Sequence, residues 1–287
     1  MPSSTPKVWL ITGCSSGLGR EIALTALARG DRVIASARSL TKLEDLQQRG
    51  ALTIALDVTS TDDVVRKTVT DAVQVYGRID VLVNNGAYAF VGGVEESSAE
   101  EIAANFGTNV FGVYRMLRVV LPFMRAQQSG TIANVGSLVG RQGIPAISVY
   151  SATKFAVAGL TESLRAEVAP FGIDVTCIDL GLFRTPFASN VTTASTSVPE
   201  VGPVVEASKK HQAAHVGKQP GDPAKGAQVI VDALTKTGAF EGKTLPVRLA
   251  VGSDSFGFVS AVLERDQKAL EEFKELTTKT DHNDVTK

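Results

Sequence analysis

The chain is 287 residues long, 44% apolar and 21% charged, with a formal net charge of −1. Such a composition supplies one large α/β core and excludes a disordered chain, and its interspersed charges lack the basic stripe that nucleic-acid binding needs. Two cysteines, Cys14 and Cys177, are too few for a disulfide framework and point to a reducing compartment.

The opening Met1-Pro2-Ser3-Ser4-Thr5-Pro6 leads straight into an apolar strand, without the charged start, long apolar run and cleavage site of a signal peptide. No apolar run approaches the roughly 20 residues of a membrane span. A soluble, cytoplasmic protein is therefore expected, and Asn190-Val191-Thr192 reads as a chance glycosylation pattern.

Nearly continuous apolar runs predict buried strands over Lys7–Thr12, Arg32–Ser36, Leu52–Leu56, Ile79–Asn84, Gly130–Asn134 and Asp174–Asp179. Helical periodicity between them predicts helices over Gly17–Arg29, Leu40–Gln48, Thr61–Tyr76, Ala99–Met124 and Val149–Ala169. Strand–helix alternation at this spacing predicts a single Rossmann-type domain, a doubly wound parallel sheet with helices on both faces.

After Leu180 the pattern weakens. Thr185–Gly221 is rich in Ser, Thr, Val, Pro and Ala, with weak helical character over Val204–His215, and reads as a substrate lid. Asp222 then caps a new helix with Pro223 in its first turn. Leu245–Val251 is a candidate last strand, and residues 264–287 form a charged C-terminal helix and tail.

Thr12-Gly13-Cys14-Ser15-Ser16-Gly17-Leu18-Gly19 follows the first strand and opens the first helix. Gly13 permits the tight turn, Gly17 lets backbone approach a pyrophosphate, and Gly19 lets the helix pack on the sheet. The helix N-terminus supplies free N–H groups and positive potential. A strand before and a helix after make this more than a stray glycine cluster.

The second strand ends Ser36-Ala37-Arg38-Ser39. A carboxylate at this tip normally holds the ribose 2′-hydroxyl of NAD and repels a 2′-phosphate. Here the acid is missing and Arg38 offers bidentate contacts to phosphate, with Ser15 and Ser39 as added hydroxyl donors. NADP(H) is expected over NAD(H).

Tyr150 and Lys154 stand four apart, so one helix face carries both. A phenol with a pKa near ~10 is a poor base at neutral pH, and a nearby ammonium favours its phenolate. Ser137 lies 13 residues before Tyr150, just past a buried strand, at the sheet edge where open α/β folds bind ligands. Its hydroxyl there steadies developing charge on a substrate oxygen.

These stretches, with Leu56-Asp57-Val58-Thr59, Asn84-Asn85-Gly86-Ala87 and Thr108-Asn109, run in an order that resembles the classical short-chain dehydrogenase/reductase family from about Lys7 to Thr185. Phe183-Arg184-Thr185 and the late Gly217–Pro223 further resemble its steroid- and retinol-dehydrogenase-like branch. The resemblance implies that Tyr150 is general acid in reduction and base in oxidation. It also implies that Ser137 orients the carbonyl and that Lys154 binds ribose and lowers the Tyr150 pKa. Asn109 would hold a water relaying protons from Lys154. Asp57 and Val58 would flank the adenine, Asn85 and Gly86 would line the ribose, and Gly181 and Thr185 would receive the carboxamide.

Family members are commonly homodimers or homotetramers through the helices holding Asn109 and Tyr150. Two departures stand out: Asn-Asn-Gly-Ala replaces the usual Asn-Asn-Ala-Gly, and Leu180-Gly181 replaces Pro-Gly, losing a fixed φ.

The expected reaction is hydride transfer between a nicotinamide and a hydrophobic carbonyl or secondary alcohol. Two alternatives remain: an epimerase or dehydratase with retained cofactor, for which the chain after Thr185 is short, and a non-catalytic NADP-binding sensor. Leu138–Ile147 and Leu182–Ser189 are mostly apolar, which suits a hydrophobic substrate. Tyr88, Phe90, Phe183 and Phe187 read either as pocket wall or as core. His211 and His215 lack a third ligand, so no metal site is expected.

Overall fold

A computed structural model describes residues 5–282, so the last five positions of the expected tail, 283–287, lie outside the described residues. In chain order the elements are β1 (Val8–Ile11), α1 (Gly17–Ala28), β2 (Arg32–Ala37), α2 (Glu44–Gln48), β3 (Leu52–Ala55), α3 (Asp62–Tyr76) and β4 (Val81–Asn84). There follow β5 (Phe90–Val91), α4 (Ala99–Phe106), α5 (Gly112–Gln127), β6 (Gly130–Val135), α6 (Ser148–Val168) and β7 (Ile173–Leu180). The remainder is β8 (Thr192–Thr193), α7 (Gly202–His215), α8 (Pro223–Thr235), β9 (Arg248–Val251) and α9 (Ser253–Thr277).

Seven strands form one parallel sheet in the order β3-β2-β1-β4-β6-β7-β9. The strand order reverses between β1 and β4, which opens the crevice where doubly wound folds bind nucleotides. Alternation along β1 shows why both faces are buried. Trp9 and Ile11 enter a core cluster under α1 and α8, whereas Val8 and Leu10 enter the opposite cluster under α3, α5 and α6. The indole N–H of Trp9 finds Asp31 at 2.9 Å, so its polar end is satisfied in the core.

Local chemistry explains several boundaries. Asp222 accepts from the backbone of Ala224 and Lys225, and Pro223 occupies the first turn of α8, as expected. Ser98 and Glu101 form a capping box at the start of α4. The single helix expected over Ala99–Met124 is interrupted by a wide π turn, Gly107–Phe111, between α4 and α5. A 3.6-residue period does not report such an insertion, and π turns favour functional positions. This one carries Asn109.

The weak stretch after Thr185 is more ordered than its composition suggests. It holds β8, paired in parallel with β5, and the full helix α7. The expected C-terminal helix starts already at Ser253. No helix among the described residues is long and apolar enough to cross a membrane.

Candidate active site

The phosphate turn leaves β1 with Gly13 at φ +73° and Gly17 at φ +59°, both in the left-handed region that side chains resist. A Cβ on Gly17 would sit 3.1 Å from the Thr185 side chain, so the start of the expected lid packs directly on this turn. Ser16 caps α1 with extended backbone and no side-chain hydrogen bond, which leaves its hydroxyl uncommitted beside the first-turn N–H groups. Ser15 is half-buried beside it, and Leu18 and Gly19 turn inward.

Asn85 holds this turn from the β4 side. Its amide nitrogen donates to the carbonyls of Thr12 at 2.9 Å and Gly13 at 3.1 Å. The Thr12 hydroxyl accepts from the backbone of both Asn85 and Gly86 at 3.0 Å. In the sequence Thr12 stands only as part of the glycine motif, and its splicing of β1 to β4 has no signal of its own there. Gly86 sits against Gly13 without a left-handed φ, so the Asn-Asn-Gly-Ala order is accommodated in ordinary backbone.

Arg38 and Ser39 follow the tip of β2, Arg38 exposed and Ser39 half-buried. Among the described residues no carboxylate forms an ion pair with Arg38. Asp57 lies near enough to feel its charge. Burial pushes the Asp57 carboxyl up, but hydrogen bonds from Thr59 and the Arg38 charge outweigh it and hold it below the usual range. The neighbouring Val58 packs so closely on Gly112 that a Cβ there would lie 2.6 Å from it, which fixes the loop against α5.

Ser137, Tyr150 and Lys154, the residues expected to carry the reaction, converge at the carboxyl edge of β6. Ser137 follows that strand and caps a short turn, Leu138–Gly140. Tyr150 and Lys154, from the first turns of α6, are 8% and 3% exposed. The Lys154 ammonium donates to the Val135 carbonyl at 2.7 Å and lies 5.6 Å from the centre of the Tyr150 ring. Burial lowers its pKa to about 8, against an opposing influence from Cys177.

The expected lowering of the Tyr150 pKa is not what the protein alone produces. Burial pushes the phenol well above its ordinary value, and a hydrogen bond from Ser137 only partly opposes this. The physical reason is placement: Lys154 addresses the face of the ring and a backbone carbonyl, not the phenol oxygen.

Asn109 is buried and its amide is engaged with neighbours. Its nitrogen donates to the Tyr88 carbonyl at 3.0 Å and the Thr153 hydroxyl at 3.2 Å, and its oxygen accepts from the Tyr88 N–H at 3.1 Å. Thr153 in turn donates to the Tyr150 carbonyl. Asn109 thus braces the backbone of Tyr150 and Tyr88, and among the described residues it makes no direct bond to Lys154.

Over the phenol lies an apolar cluster of Ala89, Leu138, Val139 and Tyr150, with Ile144, Ile147, Val191 and Phe258 packed against it. Phe187 places its ring 6.1 Å from that of Tyr150. Phe90 and Phe183 are core, whereas Phe187 faces the site. Phe258, from α9, joins a cluster to which sequence reasoning gave it no link, because periodicity does not say where a C-terminal helix docks. His211 and His215 stack on one another on α7, and no metal-capable group of three is found among the described residues.

The turn after β7 is held by two hydrogen bonds. Gly181 donates to Val251 at 2.9 Å, and the Leu182 N–H donates to the Asp254 carboxylate at 2.7 Å.

The phosphate turn, the Gly17 cradle, the uncommitted Ser16 hydroxyl and the exposed Arg38 together fit a dinucleotide. The family profile of short chain dehydrogenases matches residues 7–196. The chain belongs to the short-chain dehydrogenase/reductase family. The family profile ends inside the expected lid, so that Phe258 and Asp254 lie beyond it.

Among relatives of this short-chain dehydrogenase/reductase, Oxidoreductase BOA17 of Botryotinia fuckeliana is 36% identical over 279 residues, covering 94% of this chain and 98% of that protein. Human 17-beta-hydroxysteroid dehydrogenase type 1 is 35% identical, over 64% of this chain and 59% of its own length. The expected likeness to the steroid-dehydrogenase-like branch is thus present. A short-chain dehydrogenase from Streptomyces avermitilis superposes with a TM-score of 0.86 at 37% identity, covering 98% of this chain and all of that one. The fold and family expected from the motifs are those observed.

Proposed function

We propose that this family member is an NADP(H)-dependent oxidoreductase that interconverts a hydrophobic carbonyl compound and its alcohol, with Tyr150 as the general acid or base. The observation that carries this reading is the convergence of the buried Tyr150 phenol, the Ser137 hydroxyl and Lys154 at the carboxyl edge of β6. When bound, the nicotinamide supplies or accepts the hydride.

In reduction the Tyr150 phenol gives its proton to the substrate oxygen, and Ser137 donates a hydrogen bond to the same oxygen as its charge develops. At its ordinary value near ~10 a phenol is protonated at neutral pH, so the proton is in place for the donor role. Lys154 is assigned the ribose hydroxyls, its ammonium facing the Tyr150 ring rather than the phenol oxygen. Asn109 keeps Tyr150 in register and is assigned the water that relays protons from Lys154. The apolar walls and Phe187 exclude water and select for apolar substrates.

Arg38 and Ser39 take the 2′-phosphate, with Ser15 and Ser16 at the phosphate turn. Asp57 and Val58 flank the adenine, and Asn85 with Gly86 borders the ribose. Gly181 and Thr185 receive the carboxamide, and residues 185–221 act as the lid. Phe111, Tyr114 and Phe155, exposed on the helices around Asn109 and Tyr150, support assembly into a homodimer or homotetramer. Buried free thiols at Cys14 and Cys177 suit a cytoplasmic setting.

The test is NADPH oxidation against decanal, acetophenone and cyclohexanone. Turnover of one of them supports the reading; NADPH binding without turnover of any would favour a non-catalytic module.

A further inference from the structure

Behind the reactive residues lies an ion cluster that the reaction does not use. Asp179, near the end of β7, is fully buried. Its carboxylate accepts from Arg248 Nη2 at 2.6 Å and Nε at 3.0 Å, and from Arg141 Nε at 2.8 Å. The Ser255 hydroxyl of α9 bonds the Asp179 backbone carbonyl. Taking these charges out of water is costly, and a well-packed apolar group often serves stability as well, so such a cluster calls for a positional explanation.

Its position supplies one. Arg248 Nη2 also donates to the Gly140 carbonyl at 3.1 Å. Gly140 closes the turn capped by Ser137: its N–H donates to the Ser137 carbonyl at 2.9 Å, and the Val139 N–H donates to the Ser137 hydroxyl at 3.3 Å. On its other side, a Cβ at Gly140 would lie 2.9 Å from the Lys154 carbonyl oxygen, so the turn rests on the backbone of α6 at Lys154. One guanidinium therefore ties β7 and β9 to the turn that carries Ser137 and touches the helix that carries Lys154.

We propose that Arg248, held by Asp179, is a positioning residue that sets the Ser137 hydroxyl relative to the Tyr150 phenol by clamping the Gly140 carbonyl. The inference rests on the assignment of Ser137 and Tyr150 above. Arg141, which follows the turn directly, shares the carboxylate, while Arg248 reaches the Gly140 carbonyl within the turn. Its fork of donors is what permits simultaneous contact with a carboxylate and a carbonyl; a lysine ammonium is a single point and lacks that fork.

The test combines kinetics and hydrogen exchange in the full-length protein. Arg248→Met should lower kcat for the best carbonyl of the panel about tenfold or more, with NADPH affinity within about twofold, because misplacing one reacting group costs rate more than cofactor binding. In a Ser137→Ala background the same substitution should cost little further. Amide exchange over residues 138–141 should speed about tenfold while β1 and β4 stay protected. Arg248→Lys should retain more thermal stability than Arg248→Met yet leave kcat low, and it serves for the same comparisons if the methionine variant does not fold. An equal loss of kcat with and without Ser137, or an unchanged exchange rate in the turn, overturns the proposal. If the unmodified protein reduces none of the carbonyls, the assigned reaction fails, and the exchange measurement alone decides the role of Arg248.

Discussion

The Phe187 ring lies 6.1 Å from the Tyr150 ring at a tilt of 50°, so a residue of the expected lid covers the phenol assigned as proton donor. Such aromatic pairs are worth about 0.5–1.5 kcal/mol beyond burial. Phe187→Ala is therefore expected to raise KM for apolar carbonyls roughly tenfold and to let the Tyr150 pKa fall as water reaches it. Steady-state kinetics and the pH profile of alcohol oxidation check this, and an unchanged KM would remove Phe187 from the substrate wall.

The proposed preference for NADP(H) rests on Arg38. Arg38→Ala should weaken NADPH binding by about 10–100-fold, the scale of a charge-assisted hydrogen bond, and leave NADH nearly unaffected. Fluorescence titration with both nucleotides makes the comparison. Equal weakening of the two would sink the assignment of Arg38 to the 2′-phosphate.

Gly17 carries both a left-handed φ and the Thr185 contact. Gly17→Ala should cost about 1–2 kcal/mol of stability through backbone strain, and should weaken both nucleotides because Thr185 is pushed off the turn. Thermal unfolding with and without NADPH reads both effects. A variant of unchanged stability that binds NADPH normally contradicts the cradle.

Lys154 gives a pH dependence whose sign follows from its burial. Its pKa is lowered to about 8, so between pH 8 and its ordinary value of 10.5 the unfolded chain holds more protons than the folded one. Stability relative to Lys154→Met should therefore rise with pH across that window, by on the order of 2 kcal/mol between pH 7 and 9.5. Tyr150, raised by burial, works the other way only above its ordinary value near ~10. Denaturant titrations of the two proteins at both pH values measure the difference; a flat difference would mean that Lys154 is not buried in the unliganded protein.

Those predictions lean on features that differed greatly in how visible they were. The buried strands are legible because each is apolar on both faces, as Val8–Ile11 is, and their alternation with helices predicts a doubly wound parallel sheet, though not its strand order. Tyr150 and Lys154 share a helix face and Ser137 follows a buried strand, but the three are legible as a set because their order resembles that of the family. Relations between distant segments are not. Nothing in the sequence around Asp254 says that its carboxylate accepts from the Leu182 N–H, 72 residues earlier. The π turn at Asn109 hides inside a helical period, and the direction of Lys154 toward Val135 is set by packing of α6 on β6. The charge of a side chain is written in the sequence; the atom that it faces is not.

The most direct measurement is carbonyl-dependent NADPH oxidation by Tyr150→Phe, run beside an NADPH-binding titration of the same variant. Removing the phenolic oxygen leaves the phosphate turn and Lys154 in place, so NADPH should bind within about twofold of the unmodified protein while turnover falls by roughly 10²–10⁴-fold, the contribution of a positioned general acid. Turnover that survives unchanged would contradict the assignment of Tyr150 as the proton donor.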